Sequence, residues 1–197
     1  MVRTKHTYIL RRRREGKTDY RKRRNILRSR ATFISPRITC KNTSVQFSTA
    51  TPKGDRILAS AHSRELYKLG WKGSGNSLPA AYLTGLTAGL KALKAGVKEA
   101  VLYTGLRRYI HGSRVSAVLK GVLDAGISVA ADAETLPADE RIRGEHISEY
   151  AKSLLEEDKK LYKRRFSKLV EGGLRPEEYP KHFDEVRQKV LKSYGVK

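Results

Sequence analysis

The chain has 197 residues, of which 42 are Lys or Arg and 20 are Asp or Glu, giving a formal net charge of +22. Such an excess of cations favours a polyanionic partner such as nucleic acid. We expect neither a secretory leader nor a membrane span, since no run approaches about 18 apolar residues, and the single cysteine, Cys40, excludes an intrachain disulfide and suits a reducing cytoplasm.

The first thirty residues form a polycationic segment, here named the arm (residues 1–30). The arm holds thirteen Lys or Arg against two acids, so its net charge of +11 is half of the total. Like charges at this density oppose compaction, and phosphate backbones would neutralise them with release of counterions. Residues 17–30 are predicted to form a helix with Thr18 as N-cap, which depends on its partner for order.

Residues 31–136 are predicted to form an α/β core. Three β-rich runs within residues 31–62, with turn chemistry at residues 52–55, predict a three-stranded antiparallel meander. The next predicted elements are helices over residues 64–69, 78–93 and 113–125, and strands over residues 100–103 and 127–131. Strands that alternate with helices indicate βαβ crossovers. The predicted fold class is therefore α/β, with a mixed five-stranded sheet.

The remaining residues, 137–197, are predicted to form a helical C-terminal extension. Residues 145–171 have a charged helical pattern that ends at Gly172-Gly173, and a last helix begins at Pro176. Its apolar stripe consists of Phe183, Val186, Val190 and Tyr194. The predicted domains are thus the arm (1–30), the α/β core (31–136) and the helical extension (137–197).

Signatures of catalysis are absent from the sequence. It contains no serine-hydrolase elbow, no zinc-protease helix, no cysteine pair and no Walker loop, and its five histidines lack metal-ligand spacing. One alternative stays open, a metal-dependent nuclease on a ribonuclease H-like scaffold, because two-metal hydrolysis uses converging carboxylates. The carboxylates available for it are Asp124, Asp132, Glu134, Asp139 and Glu140. We expect no cofactor and no metal.

Two loops have the composition of anion-binding segments. Residues 73–75 begin like a dinucleotide fingerprint, but Leu78 occupies the third glycine position, so a generic anion site at a helix start remains, with an ordinary capped helix as the alternative. Residues 107–114 interleave basic and aromatic side chains, which suits phosphate contact and base stacking, with a solvated loop as the alternative. The global charge favours contact for the second loop.

Several segments, in a fixed order, resemble one ribosomal family. The segments are residues 58–63 (LASAHS), 75–76 (GN), 79–86 (PAAYLTGL), 112–115 (GSRV), 119–121 (LKG), 124–126 (DAG) and 143–147 (RGEHI). Over about residues 8–160 their order and spacing resemble the large-subunit ribosomal protein that binds 5S ribosomal RNA in the central protuberance. This is the universal L-eighteen family in its archaeal and eukaryotic form. One departure is Tyr103, where family members commonly have an acid.

The resemblance implies a mixed α/β fold with a basic extension along 5S RNA, no enzymatic activity, and a cytoplasmic location in the large ribosomal subunit. The implied partners are 5S rRNA, large-subunit rRNA, the other 5S-binding ribosomal protein and neighbouring large-subunit proteins, with no membrane and no small-molecule substrate. A sequence-specific DNA binder that uses the helix of the arm is a further alternative.

The charge pattern and the resemblance together predict a set of RNA-binding residues. In the arm they are Arg3, Lys5, Tyr8, Arg11, Arg12, Arg13, Arg14, Lys17, Tyr20, Arg21, Lys22, Arg23, Arg24, Arg28 and Arg30. In the rest of the chain they are Gly75, Asn76, Tyr82, Arg107, Arg108, Tyr109, Gly112 and Arg114. The arginines and lysines would neutralise phosphates, and the tyrosines would stack on unpaired bases or riboses.

Overall fold

The structure, a computed structural model, describes residues 9–51 and 54–195. The strands are β1 (Thr32–Ile38), β2 (Thr43–Thr51), β3 (Gly54–His62) and β4 (Val101–Leu102). The helices are α1 (Arg11–Arg14), α2 (Tyr20–Ser29), α3 (Arg64–Lys68), α4 (Leu78–Lys94), α5 (Arg114–Asp124), α6 (Asp139–Arg143), α7 (Glu145–Glu157), α8 (Lys159–Glu171) and α9 (Tyr179–Tyr194). Among these helices, none is both long enough and apolar enough to cross a bilayer.

The four strands form one mixed sheet in the order β3-β2-β1-β4. The antiparallel pairs β1–β2 and β2–β3 confirm the predicted meander, and β4 lies parallel to β1. Because strand residues alternate between faces, Ile34, Val45 and Phe47 share the inner face, where they are fully buried in the core beneath α4. The opposite, outer face carries Phe33 and Arg37.

The prediction of a fifth strand over residues 127–131 is wrong. Within the described ranges this segment contributes a single parallel bridge, between Glu99 and Ser128. Ser128 N donates to Lys98 O at 2.9 Å, and Ala100 N donates to Ser128 O at 3.0 Å. The apolar alternation that suggested a strand arises because Ile127 and Val129 are buried beneath the helices, and burial by itself requires no continuous ladder.

Helix α4 is the centre of the molecule. Ser77 caps it by accepting a hydrogen bond from Ala80 N at 3.3 Å, and Pro79 lies in its first turn. Every residue from Pro79 to Leu90 is buried, because the sheet covers one side of α4 and α5 covers another. The sequence of α4 is therefore apolar on nearly all of its faces, as expected for a helix enclosed by its neighbours.

The C-terminal extension consists of α6 to α9. The predicted helical segment 145–171 is divided in two by Asp158, whose carboxylate caps α8 by accepting from Lys160 N at 2.8 Å and Leu161 N at 3.2 Å. Helix α9 follows a turn at Pro176–Glu178, and Phe183, Val186 and Val190 are buried in the same core as the sheet. These three positions belong to the predicted apolar stripe.

His182 joins α9 to the loop that precedes α4. Its Nε2 accepts a hydrogen bond from Lys72 N at 3.1 Å, and its ring is stacked on Trp71 with 5.2 Å between centroids. Burial, together with the nearby Lys72 and Lys189, lowers the pKa of His182, while Glu185 opposes this effect. The folded protein therefore favours the neutral imidazole.

We expect the melting temperature to fall as the pH is lowered from about 7.5 to about 5.5. A histidine with a lowered folded pKa contributes stability that is complete above its unfolded pKa of about 6.5 and is lost as the pH falls towards the folded pKa. His182→Gln should flatten this profile in calorimetry, because a glutamine oxygen can still accept from Lys72 N.

The control is His111→Gln, which makes the same substitution at an exposed site. Burial also lowers the pKa of His146, which accounts for the slope that remains in His182→Gln. A profile of His182→Gln as steep as that of the unsubstituted protein would contradict the role of this side chain.

Candidate nucleic-acid interface

Helix α2 lies on the outer face of the sheet. Ile26 is 9% exposed and packs with Phe33 and Ala50, and the ring of Tyr103 meets Phe33 edge to face at 5.6 Å. The N-cap of α2 is Asp19 rather than the predicted Thr18. The Asp19 carboxylate accepts hydrogen bonds from Arg21 N at 2.9 Å and from Lys22 N at 3.2 Å. The second half of the arm thus has its own hydrophobic contact with the domain.

Two arm cations strengthen this attachment. Arg23 forms a two-pronged ion pair with Asp55, in which Nη1 donates to Oδ2 at 2.9 Å and Nη2 contacts Oδ1. The same guanidinium lies 5.8 Å from the centre of the Phe33 ring. Lys22 Nζ donates to Gly105 O at 3.3 Å, on the loop after β4. The predicted dependence of α2 on its partner for order is therefore offset by contacts within the chain.

Between the arm and the domain lies a groove of about 890 Å³, named here the arm groove. Its walls are the segment from α1 to α2 and the loop 103–107, and the ends of β1 and β3 contribute to its floor. Five cations line it, namely Arg12, Lys17, Arg23, Arg37 and Arg107. The single acid in its lining, Asp55, is already paired with Arg23. The groove therefore presents a cationic surface, with Tyr20 and Tyr103 as aromatic neighbours.

Three of these cations are held by hydrogen bonds within the chain. Arg12 Nε donates to Thr18 Oγ1 at 2.8 Å, and Arg107 Nη1 donates to Ile38 O at 2.7 Å. Lys17 Nζ lies 2.8 Å from Glu15 Oε2. An arginine has five N–H donors in a planar fork, so Arg12 and Arg107 keep donors for an incoming phosphate while their orientation is fixed.

Arg37 is the one cation of the groove lining that the sequence interpretation missed. It is exposed on the outer face of β1, two residues beyond Ser35 and four beyond Phe33. The strand alternation contained this signal, because it places every second residue of β1 on the face opposite the buried Ile34. The sequence interpretation ends this strand at Pro36, whereas β1 continues to Ile38, so Arg37 is assigned to no strand face from the sequence.

Most of the other predicted arm cations are exposed. Arg11, Arg13 and Arg14 lie on α1, where Arg11 Nε is 3.4 Å from Glu15 Oε1. The exposed set continues with Arg21, Arg24, Arg28 and Arg30. The predicted contacts at Arg3, Lys5 and Tyr8 lie outside the described residues.

The loop 107–114 is hydrogen-bonded to the neighbouring turn at Ala133–Thr135. Tyr109 Oη donates to Thr135 Oγ1 at 3.3 Å, and Gly112 N donates to Thr135 O at 3.1 Å, with φ of +62° at Gly112. Arg114 Nη1 donates to Asn76 O at 3.3 Å. Arg108 and Arg114 are exposed, so the loop presents cations at its surface while Tyr109 is half-buried.

Three of the predicted contact residues, Gly75, Asn76 and Tyr82, are enclosed by other parts of the chain. Gly75 is buried, and a Cβ there would lie 2.8 Å from Ser63 Oγ. The amide of Asn76 donates to the carbonyls of Thr39 and Cys40. This loop therefore has the geometry of the ordinary capped helix start, the alternative that the sequence left open.

Tyr82 is 2% exposed, and its hydroxyl donates to Asp124 Oδ2 at 2.8 Å. Burial and this hydrogen bond raise the pKa of the Tyr82 phenol. Its ring packs against Phe183 of α9 with 5.7 Å between centroids. The side chain thus links α4 to α5 and α9, and its burial does not suit the predicted direct contact with RNA.

Two of the five carboxylates considered for a nuclease, Asp124 and Asp139, lie near a lysine, and Asp124 also accepts a hydrogen bond from the Tyr82 hydroxyl. Lys120 Nζ lies 3.8 Å from Asp124 Oδ1 and 4.0 Å from Asp139 Oδ1, in a cavity of about 260 Å³ that Arg143 also lines. Across residues 9–51 and 54–195, no three His, Cys, Asp or Glu side chains are grouped closely enough to hold a metal ion.

Comparisons with known proteins agree with the resemblance. A family model described as "Ribosomal large subunit proteins 60S L5, and 50S L18" matches residues 4–100. The large ribosomal subunit protein uL18 of Aeropyrum pernix is 51% identical over 186 residues, which cover 94% of this chain and 87% of that protein. The proteins of the same name from Thermofilum pendens and Ignicoccus hospitalis are each 50% identical over 92% and 94% of this chain, and these matches cover 92% and 91% of the two relatives. With such identity along almost its whole length, the chain belongs to the uL18 family of large-subunit ribosomal proteins.

Proposed function

We propose that the protein is a structural, non-catalytic component of the large ribosomal subunit that binds 5S rRNA through the arm groove. The observation that carries this proposal is the lining of the groove, where five cations face one carboxylate that is already paired. The names of the relatives support assembly into the large subunit, and hence into cytoplasmic ribosomes. The proposed partners also include large-subunit rRNA, the other 5S-binding protein and neighbouring ribosomal proteins.

Recognition in this proposal is by charge and shape. The major groove of A-form RNA is too deep and narrow for side chains, so protein contacts concentrate on phosphates and on the shallow minor groove. Arg12, Arg37 and Arg107 supply phosphate donors on three different elements, which makes the groove sensitive to the path of the backbone. Tyr20 supplies a stacking surface for an unpaired base.

The domain and the arm have different roles in positioning the cations. The domain orients Arg37 and Arg107, while α2 holds the first half of the arm beside them through Ile26 and Arg23. The exposed arginines of α1 then extend the cationic surface beyond the groove. We propose that residues 1–30, 31–136 and 137–197 act as arm, core and extension in this assembly.

The double variant Arg37→Gln/Arg107→Gln tests the proposal. We expect its dissociation constant for 5S rRNA to rise about tenfold or more at ~0.15 M salt, and the log–log salt dependence to become shallower by about 2, because two phosphate contacts are lost. Filter binding over a salt series measures both quantities. The control Lys98→Gln/Lys181→Gln removes the same charge from exposed sites outside the groove and should bind like the unsubstituted protein.

Two results would contradict the proposal. Equal affinity for 5S rRNA and for length-matched duplex DNA would favour the DNA-binding alternative. Cleavage of structured RNA in the presence of Mg²⁺, abolished by Asp124→Asn or Asp132→Asn, would favour the nuclease.

A further inference from the structure

The two helices α7 and α8 form a hairpin that separates charge. Helix α8 carries six Lys or Arg and one acid, whereas α7 carries four Glu and one Lys. Neither helix lines the arm groove. The hairpin therefore holds a concentrated basic surface that the proposed function does not use.

The apolar side of α8 is already covered. Phe166 is 8% exposed and packs with Ala151 and Leu154 of α7. On the same side, Tyr162 Oη donates to Glu177 Oε1 at 2.8 Å. With this side fixed against α7 and the turn at Pro176–Glu178, the cations of α8 are directed to the remaining surface.

Three of these cations form a straight row, named here the α8 stripe. Lys160, Arg164 and Lys168 follow one another at intervals of four residues, so they lie on one side of the helix and are spaced about 6 Å apart along its axis. By helical geometry this side is opposite Phe166. All three are exposed, and Lys163 and Arg165, also exposed, flank them.

The acids of α7 do not neutralise the α8 stripe. In the described part of the chain, no cation of α8 lies within 4.0 Å of a carboxylate oxygen. An internal role in pairing the two helices would require such contacts. A row of cations without internal partners matches the repeating charge of a phosphate backbone.

We propose that the α8 stripe is a second phosphate-binding surface, separate from the arm groove, and that its occupant is a double-helical segment of ribosomal RNA. Charge complementarity favours this occupant, because the aromatic side chains of α8, Tyr162 and Phe166, are not exposed for stacking, whereas its exposed Lys and Arg side chains can donate to phosphate oxygens. A chain with two such surfaces can hold two RNA segments at once.

The triple variant Lys160→Gln/Arg164→Gln/Lys168→Gln tests this proposal in the full chain. The probe is an RNA duplex of about 20 base pairs, long enough to present two successive minor grooves. We expect binding to weaken about tenfold or more, and the salt dependence to become shallower by about 2 to 3. The control Lys98→Gln/Lys181→Gln/Lys192→Gln makes the same change in net charge and should have little effect.

The same triple change in the Arg37→Gln/Arg107→Gln background separates the two surfaces. Independent surfaces give additive losses in binding free energy. Lysine acetylation read by mass spectrometry supplies a second measurement, in which duplex RNA should protect Lys160 and Lys168 but not Lys98.

An α8 triple variant that binds the duplex like its control, with Lys160 unprotected, would overturn the inference. That result would not contradict the proposal for the arm groove, because the groove is tested separately by the binding of the Arg37→Gln/Arg107→Gln variant to 5S rRNA. Loss of an acidic protein partner with RNA binding unchanged would also overturn it, and would assign the α8 stripe to a protein contact.

Discussion

Replacing Gly85 by alanine should lower the free energy of unfolding by about 2 kcal/mol or more, even though alanine is the better helix former. Gly85 lies where α4 crosses α5, and a Cβ at this position would meet the carbonyl oxygen of Val118 and lie 2.9 Å from its Cα. Gly121 is its counterpart on α5, where a Cβ would lie 2.8 Å from Leu86 N. The obstacle on each side is backbone, so the two helices must move apart.

The direction of the change in stability distinguishes close helix packing from an ordinary helix position. In an exposed helix interior, Gly→Ala would stabilise the protein by about 1 kcal/mol. At Gly85 the overpacking term should exceed that gain and lower the melting temperature by roughly 5 °C or more, which calorimetry or denaturant unfolding measures. A stabilised Gly85→Ala protein would show that the helices do not approach as closely as described.

Gly89 provides the matched comparison on the same helix. A Cβ there would meet the methyl group of Ala125 at 2.6 Å, with Val122 Cα farther away at 3.4 Å. Gly89→Ala should therefore destabilise the protein, and the swap Gly89→Ala/Ala125→Gly should restore most of the loss. No substitution at Val118 can rescue Gly85→Ala in this way, because its backbone is the obstacle.

The secondary structure was largely accessible from local patterns. The β meander, α4 with its Ser77 cap, and α5 with its Gly126 exit depend on interactions between residues close in sequence. The two main errors have different causes. The buried Ile127 and Val129 look like a strand in sequence, but the two-residue β4 leaves little edge to pair with. The helix break at Asp158 was hidden in a run of acids.

The site was only partly accessible, because its geometry depends on long-range contacts. The charge of the arm was evident, yet no local pattern shows that Arg23 pairs with Asp55, which lies 32 residues away. The resemblance placed Tyr82 among the predicted RNA contacts, but a motif does not distinguish a buried tyrosine from an exposed one. Arg37 required a decision about which face of β1 is covered, and that depends on α2.

The largest effect on RNA binding should come from the four consecutive arginines of α1. Substituting Arg11, Arg12, Arg13 and Arg14 by glutamine should weaken binding to 5S rRNA at least about a hundredfold at ~0.15 M salt. All four are exposed, and α1 buries none of its residues, so their removal should barely change the stability of the domain. The slope of the log–log salt dependence should become shallower by about 3.

Substitution separates charge from structure more cleanly than removal of the arm does. Deleting residues 1–30 would uncover Phe33 and Ala50 and leave Asp55 without Arg23, so lost binding could reflect a damaged sheet. Comparing the melting temperatures of the deletion variant and the α1 variant separates the two effects, and we expect the deletion variant to be the less stable of the two.

A control with the same change in charge completes the experiment. Lys98→Gln/Lys152→Gln/Lys181→Gln/Lys192→Gln removes four exposed positive charges that are distant from α1 in sequence. If long-range attraction by net charge dominated, both quadruple variants would weaken binding equally, and the weakening would vanish above about 0.3 M salt, where screening is strong. Direct contacts at α1 instead predict a large loss for the arginine variant alone. Equal losses would remove the arm from the interface and leave the groove residues of the domain as its basis.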